Sequence, residues 1–274
     1  MDPSSSSKPE LVICYFIGRL NPPHEGHIKS LEQTISLVGD TPALILLGSG
    51  GKKKGTLENP ISFKLKKEFI EFKLGVDNAG SKYVIQEMGS AAEQIKQHIE
   101  KALVDHPSAT TIEIIHIAGE KGDDATKLNY LEPIVVNITN ELRPSAEVKF
   151  RTQKVTPEQS KTDISKDLSA TQVRKDAYIC FLTADKDAKY TCFAEKYRDF
   201  YGIYTERIYN QIIDSAKKHT LEQLNEYIVH GKIPKTPRPS TSTQRTPESD
   251  DNPPNKKSKR STRRTPRPVT IFQV

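Results

Sequence analysis

Along the chain, apolar positions fall into two alternating rhythms. Leu11 to Ile17 is an almost unbroken apolar run ending at Gly18, which predicts a strand buried on both faces. After a turn holding Asn21, Pro22 and Pro23, Ile28, Leu31, Ile35 and Val38 recur at three- or four-residue steps before Gly39, the spacing of an amphipathic helix with a C-terminal stop. Pro42 to Leu47 repeats the buried-strand pattern, and Gly48 to Asn59 is a loop rich in glycine and lysine. Pro60 should open a helix running to about Leu74. Tyr83 to Met88 predicts a strand, Ala91 to Val104 a helix, and Thr111 to Ala118 a strand rich in β-branched residues. A helix from about Ala125 to Thr139 and a short strand at Val148 to Phe150 continue the series. A polar stretch to Asp167 precedes helical patterns at Thr171 to Phe181 and at Thr205 to about Val229, where Gly231 and Pro234 end the pattern.

Strands alternating with helices predict an α/β fold: a Rossmann-like, doubly wound parallel sheet, because parallel neighbours need helical crossovers. In such sheets ligands bind beyond the carboxyl ends of the strands, where the winding reverses. The expected organisation is a disordered N-terminus (1–10), a Rossmann-like domain (11–182), a C-terminal helical extension (183–232) and a disordered basic tail (233–274).

Composition sharpens this division. An apolar share of 35% and a mean hydropathy of −0.61 are low for 274 fully packed residues. From Ile233 to Val274 ten basic residues face three acidic ones, so a net +7 sits in the tail, and the remaining residues sum to −1 of the chain's +6. The body therefore gives no reason to expect a nucleic-acid-binding face, and nucleic acid could be contacted only through the tail. Lys256, Lys257, Lys259, Arg260, Arg263 and Arg264 resemble a nuclear localisation signal, and Thr-Pro pairs at Thr236, Thr246 and Thr265 are candidate phosphorylation sites. A solvated extension is the other reading of the same residues. Cys14, Cys180 and Cys192 show no Cys-x-x-Cys spacing, and two lie in apolar runs, which predicts buried reduced thiols and an intracellular protein of the cytoplasm or nucleus. No run approaches the roughly 18 apolar residues of a membrane span.

The chemistry concentrates after the first strand. Gly18, Arg19, Leu20, Asn21, Pro22, Pro23, His24, Glu25, Gly26 and His27 lead into the first helix. A helix start offers unpaired N–H groups and partial positive charge, and Gly26 allows close backbone approach, so phosphate is favoured there. His24 and His27 can each donate from a ring nitrogen to phosphate oxygens; a tight turn with capping histidines is the plainer alternative. A second segment, Leu168, Ser169, Ala170, Thr171, Gln172, Val173, Arg174, opens a late helix, with Ser169 and Gln172 at capping-box spacing. Its hydroxyls could receive phosphates, and Arg174 offers a planar fork of donors.

These residues carry a resemblance. Asn-Pro-Pro-His-Glu-Gly-His resembles the HxGH motif of the nucleotidylyltransferase superfamily, in the version of nicotinamide-nucleotide adenylyltransferase relatives. Leu168 to Arg174 resembles its second motif, Ile-Ser-Ser-Thr-x-Ile-Arg, departing from it with Ala170 for the second serine. The resemblance covers roughly residues 10 to 180. It implies AMP transfer from ATP to a small phosphorylated acceptor such as nicotinamide mononucleotide, with pyrophosphate released. Under it His24, His27 and Arg174 would be catalytic, while Gly18, Arg19, Asn21, Gly26, Gly119, Lys121, Asp123, Ser169 and Thr171 would bind nucleotide. It further implies Mg2+ held mainly by the triphosphate, with no metal ligands from the protein. The family often has an arginine near Lys66, which lacks bidentate geometry. Lys52, Lys53 and Lys54 could meet an acceptor phosphate or form a solvated loop. Gly119 to Asp123 could read a base and ribose, or cap a helix. The motifs do not separate ATP from CTP, so a cytidylyltransferase making a CDP-activated alcohol stays open, as does a non-catalytic nucleotide-binding protein with a nucleic-acid-binding tail. His98, His106, His116, His219 and His230 make no metal-ligand spacing, and the Gly-x-x-x-x-Gly-Lys-Ser/Thr loop of P-loop kinases is missing.

Overall fold

A computed structural model describes residues 9–51, 54–119, 130–155 and 169–232. Strands β1 (Leu11–Gly18), β2 (Ala43–Leu47), β3 (Tyr83–Glu87), β4 (Thr111–Gly119) and β5 (Glu147–Val155) form one sheet in the order β3-β2-β1-β4-β5, and every pairing is parallel. The α/β, Rossmann-like expectation holds. The chain winds outward from β1 through β2 to β3, then returns to the other side of β1 with β4. The winding therefore reverses between β1 and β4, at the carboxyl end of which a crevice must open.

Helices α1 (Glu25–Ser36), α2 (Phe63–Leu74), α3 (Ala91–Asp105) and α4 (Leu131–Leu142) are the crossovers, followed by α5 (Ala170–Thr183), α6 (Lys189–Tyr201), α7 (Thr205–Ala216) and α8 (Leu221–His230). Alternation along β1 sends its side chains to two cores. Cys14 and Phe16 join Ile28, Leu31, Leu65, Phe69, Val173, Tyr178, Phe193, Tyr201, Ile212 and Tyr227 on the face covered by α1, α2 and α5–α8. Ile13 and Tyr15 join Ile95, Ile99, Leu131 and Val135 on the face of α3 and α4.

Several boundaries differ from expectation, each for a physical reason. The helix expected from Pro60 begins at Phe63, capped by Ser62, whose side chain accepts from Leu65 N–H. Just before it the Ile61 backbone is engaged by Asn21. The short strand at Val148 to Phe150 extends over Glu147–Val155, because backbone pairing with β4 continues along a polar edge strand whatever its side chains. The start of the helix expected from Ala125 lies outside the described residues; the described helix ends at Leu142 rather than Thr139. The single helix expected over Thr205 to Val229 is two, since Thr220 caps α8 by accepting from Gln223 N–H while Gln223 accepts from Thr220 N–H. Helix α6 lies within the expected helical extension (183–232) but was not singled out in it, although Tyr190, Phe193, Tyr197 and Tyr201 recur at helical spacing.

The thiol expectation is overturned. Cys180 on α5 and Cys192 on α6 form a disulfide, their Cα atoms 5.7 Å apart, and only Cys14 is a free, buried cysteine among the described residues. Two consecutive helices joined by a short turn bring together positions that are 12 apart in sequence. The argument for an intracellular protein from reduced cysteines falls with it. No helix among the described residues is long and apolar enough to cross a membrane.

Candidate active site

β1 leaves the sheet at Gly18, where an added Cβ would stand 2.7 Å from the Phe16 ring and 3.0 Å from Leu20. A side chain there would force the Phe16 ring and the Leu20 side chain to shift. Leu20 adopts a positive φ of 42°, and the Asn21–Pro22 peptide is cis. The chain then reverses and His24 becomes the N-cap of α1. The His24 N–H donates to His27 Nδ1 at 3.2 Å, and the two imidazoles lie with centroids 3.6 Å apart. Since Nδ1 of His27 accepts, a neutral ring must carry its proton on Nε2, which is left as a donor. Desolvation, with a smaller contribution from the neighbouring His24, holds His27 well below the usual histidine range and keeps it neutral. Glu25 and Gly26 occupy the first turn, where backbone N–H groups have no helical acceptor.

Arg174 comes to this turn from α5. It is buried at 6% exposure, and its guanidinium donates to the carbonyl of Asn21, from Nε to the Tyr227 hydroxyl at 2.7 Å, and from Nη2 to Thr171 Oγ1 at 3.0 Å. The two segments singled out by sequence thus meet, 153 residues apart along the chain. The fork is directed mainly at protein oxygens rather than outward. Ser169 caps α5, accepting from Gln172 N–H at 3.1 Å, so the forward arm of the expected capping box is present. The return arm is not: the Gln172 amide donates to Asp176 at 2.8 Å. Both Ser169 and Thr171 accept through oxygen, which leaves each O–H available to donate.

Asn21, expected among the nucleotide-binding residues, is buried, and its side chain meets backbone. Its amide oxygen accepts from Ile61 N–H at 2.9 Å and its amide nitrogen donates to Ile61 carbonyl at 3.3 Å, stapling the loop to the segment before α2. Lys66 on α2 is fully buried and donates to the carbonyls of Arg19 at 2.8 Å and Gly48 at 2.6 Å. It therefore ties together the exits of β1 and β2. Burial lowers its ammonium to about 8, offset in part by Glu87. The Arg19 side chain is exposed. Gly119 ends β4, two residues beyond the β1–β4 partners Phe16 and Ile117 just as Gly18 is, and so stands at the same carboxyl edge of the sheet. Lys121 and Asp123 lie outside the described residues, as do Lys52, Lys53, Leu168 and the basic tail. Lys54 is exposed, 3.9 Å from Glu87.

The sequence reading missed Tyr201 and Tyr227. Tyr201 on α6 donates to the carbonyl of Pro23 at 2.8 Å, and Tyr227 on α8 receives Arg174. Both are buried among aromatic core residues, and nothing local in the sequence marks which core tyrosines carry a polar contact.

No family model matches this chain, and no curated protein does. Among solved structures it is similar to a bifunctional NMN adenylyltransferase/ADP ribose pyrophosphatase from Francisella tularensis, at 20% identity and a TM-score of 0.39 over 76% of this chain and 53% of that one. The same bifunctional enzyme complexed with AMP and Mn ion gives 18% and 0.41, over 83% of this chain and 58% of that one. Plasmodium falciparum nicotinic acid mononucleotide adenylyltransferase complexed with NaAD gives 13% and 0.37, over 69% and 96%. The chain spans little more than half the length of the Francisella enzyme. Its structural neighbours thus include adenylyltransferases of the nucleotidylyltransferase superfamily. At such identities and scores the likeness assigns no chemistry to this chain.

Proposed function

We propose that this protein is a nucleotidylyltransferase that transfers AMP from ATP to a small phosphorylated acceptor, nicotinamide mononucleotide being the first candidate. The observation that carries the reading is the junction of the two segments: the His24–Gly26–His27 turn at the start of α1, beside the reversal between β1 and β4, linked to Arg174 through the Asn21 carbonyl. An acceptor phosphate oxygen attacks the α-phosphorus; a new P–O bond forms, the bond from that phosphorus to the α–β bridging oxygen breaks, and pyrophosphate leaves with the electron pair. No protein nucleophile is needed. Neutral His27, protonated on Nε2, donates to a phosphate oxygen without needing to change its protonation state, and His24 and the first-turn N–H groups add donors fixed before reaction. Arg174 braces the turn from behind and adds its charge, while the Ser169 and Thr171 hydroxyls orient the triphosphate. Gly18, Arg19 and Gly119 border the nucleotide; Lys121 and Asp123 are assigned to base and ribose on the resemblance alone.

Among the described residues no group of three or more His, Cys, Asp or Glu side chains could hold a metal ion. In this reading Mg2+ would be held mainly by the triphosphate oxygens, where it would screen the charge that builds on pyrophosphate.

Pyrophosphate release measured over a panel of ATP, CTP and other triphosphates against phosphorylated acceptors tests the reading. ATP with nicotinamide mononucleotide should give the highest rate, and folded His27→Ala should lose about a hundredfold or more in kcat, the usual cost of one fixed oxyanion donor. CTP preference would select the cytidylyltransferase. The absence of pyrophosphate with every pair, or a His27→Ala variant as fast as wild type, would overturn the assignment.

A further inference from the structure

The segment that presents His24 contains two consecutive prolines, Pro22 and Pro23, neither of which has a backbone N–H. Such a loop has few amides with which to brace itself, and its buried carbonyls need donors from elsewhere. Both donors come from helices that follow the sheet, α5 and α6. The carbonyl of Pro23 accepts from the Tyr201 hydroxyl at 2.8 Å. The carbonyl of Asn21 accepts from Arg174, whose Nε is held by the Tyr227 hydroxyl at 2.7 Å. Tyr201 and Tyr227 are each fully buried. Tyr201 lies 5.3 Å from the Phe69 ring and 4.9 Å from Phe200, and Tyr227 lies 5.6 Å from Tyr178.

We propose that Tyr201 and Tyr227 are positioning residues through which the C-terminal helices α6 and α8 hold the His24–His27 turn in its reactive geometry. The proposal rests on the functional reading above for its catalytic consequence. The two phenols act on opposite sides of Pro22, one directly and one through Arg174, so the turn is clamped at two carbonyls by helices that follow the sheet in sequence. Burial raises both hydroxyls above the ordinary tyrosine value, so each remains an O–H across the neutral range. Since Tyr201 reaches the turn directly and Tyr227 only through Arg174, each by one oxygen on a buried ring, removing that oxygen alone should free the turn while leaving the packing in place.

The test uses Tyr201→Phe and Tyr227→Phe in the full chain, with Ile212→Val on α7 as a core change that touches neither carbonyl. Each Phe variant should lose about ten- to a hundredfold in kcat with KM for the triphosphate changed less than about threefold, the scale of a small misplacement of reacting groups. Ile212→Val should leave kcat at the wild-type value. The second readout needs no activity: in nitrogen-resolved NMR the His27 ring of wild type should show the Nε2-protonated pattern, and both Phe variants should move it toward averaged tautomers while Ile212→Val leaves it in place. Should Tyr227→Phe fail to fold, Tyr201→Phe gives the same test on the direct branch. Folded Phe variants with wild-type kcat and an unmoved His27 pattern would overturn the proposal. If wild type released no pyrophosphate from any pair, the functional reading would fall, and the NMR comparison alone would decide this one, an unmoved pattern overturning it.

Discussion

Replacing Lys66 by methionine tests the electrostatics of the site's floor. The ammonium is fully buried against the carbonyls of Arg19 and Gly48, and its folded value of about 8 lies below the ordinary 10.5 because desolvation outweighs the favourable field of Glu87. That gap corresponds to about 3 kcal/mol of differential stability between protonation states. The sign follows from proton binding. Below about 8 both folded and unfolded chains hold the proton and the full penalty of burying it is present; between about 8 and 10.5 the unfolded chain holds more protons than the folded one, so stability rises with pH. From about pH 7 to about pH 9.5 the gain should be about 2 kcal/mol. Methionine has similar reach, no proton to titrate and no donors. At neutral pH the relief of desolvation and the loss of two charge-assisted bonds, about 1.5–3 kcal/mol each, oppose one another. The informative quantity is therefore the slope rather than the offset. Urea unfolding followed by circular dichroism at the two pH values, in wild type and Lys66→Met, should show the wild-type advantage growing by about 2 kcal/mol as pH rises. The shifted tyrosines are common to both proteins and cancel. Parallel dependences would refute a desolvated lysine bridging the strand exits.

Other changes probe the same framework. Asn21→Ala removes both bonds to the Ile61 backbone, leaving a buried N–H and carbonyl unpaired, and should cost about 2–4 kcal/mol in urea unfolding; a loss below about 1 kcal/mol would mean the staple is dispensable. Denatured but unreduced protein should take up one alkyl group, on Cys14, and after reduction three; reductant should lower stability by about 3 kcal/mol, the loop-closure value for a short bridge, and three groups before reduction would refute the Cys180–Cys192 bond. His116, 2% exposed and stacked on Tyr15 at 5.0 Å, has its imidazole pushed down to about 4 by burial. A lowered folded value means stability present above the unfolded value and lost as pH falls toward about 4, by about 3 kcal/mol; His116→Phe should lack that part of the acid sensitivity, and an unchanged acid limb would refute the assignment.

Much of the fold was legible along the chain because the central strands of a parallel sheet are buried on both faces and each crossover helix on one, so periods of burial survive in sequence. Leu11 to Ile17 and Ala43 to Leu47 announce themselves in this way. Strand β5 was read too short because an edge strand is defined by backbone pairing, to which Lys149, Arg151 and Gln153 contribute nothing apolar. The disulfide escaped because spacing in sequence does not reveal that α5 and α6 fold back on one another.

At the candidate site the division is sharper. The sequence determined by itself the turn and the helix start that carry the proposed phosphate site: two imidazoles around Gly26 after a buried strand need no distant partner to define a turn and a helix end. Only tertiary structure decided how that turn is held. Asn21 staples Ile61, Lys66 binds two strand exits, Arg174 reaches the Asn21 carbonyl from far along the chain, and two tyrosines of the last helices complete the clamp. Carbonyls and phenols look alike at every position of a sequence, and which of them meet is settled by the packing of helices on the sheet.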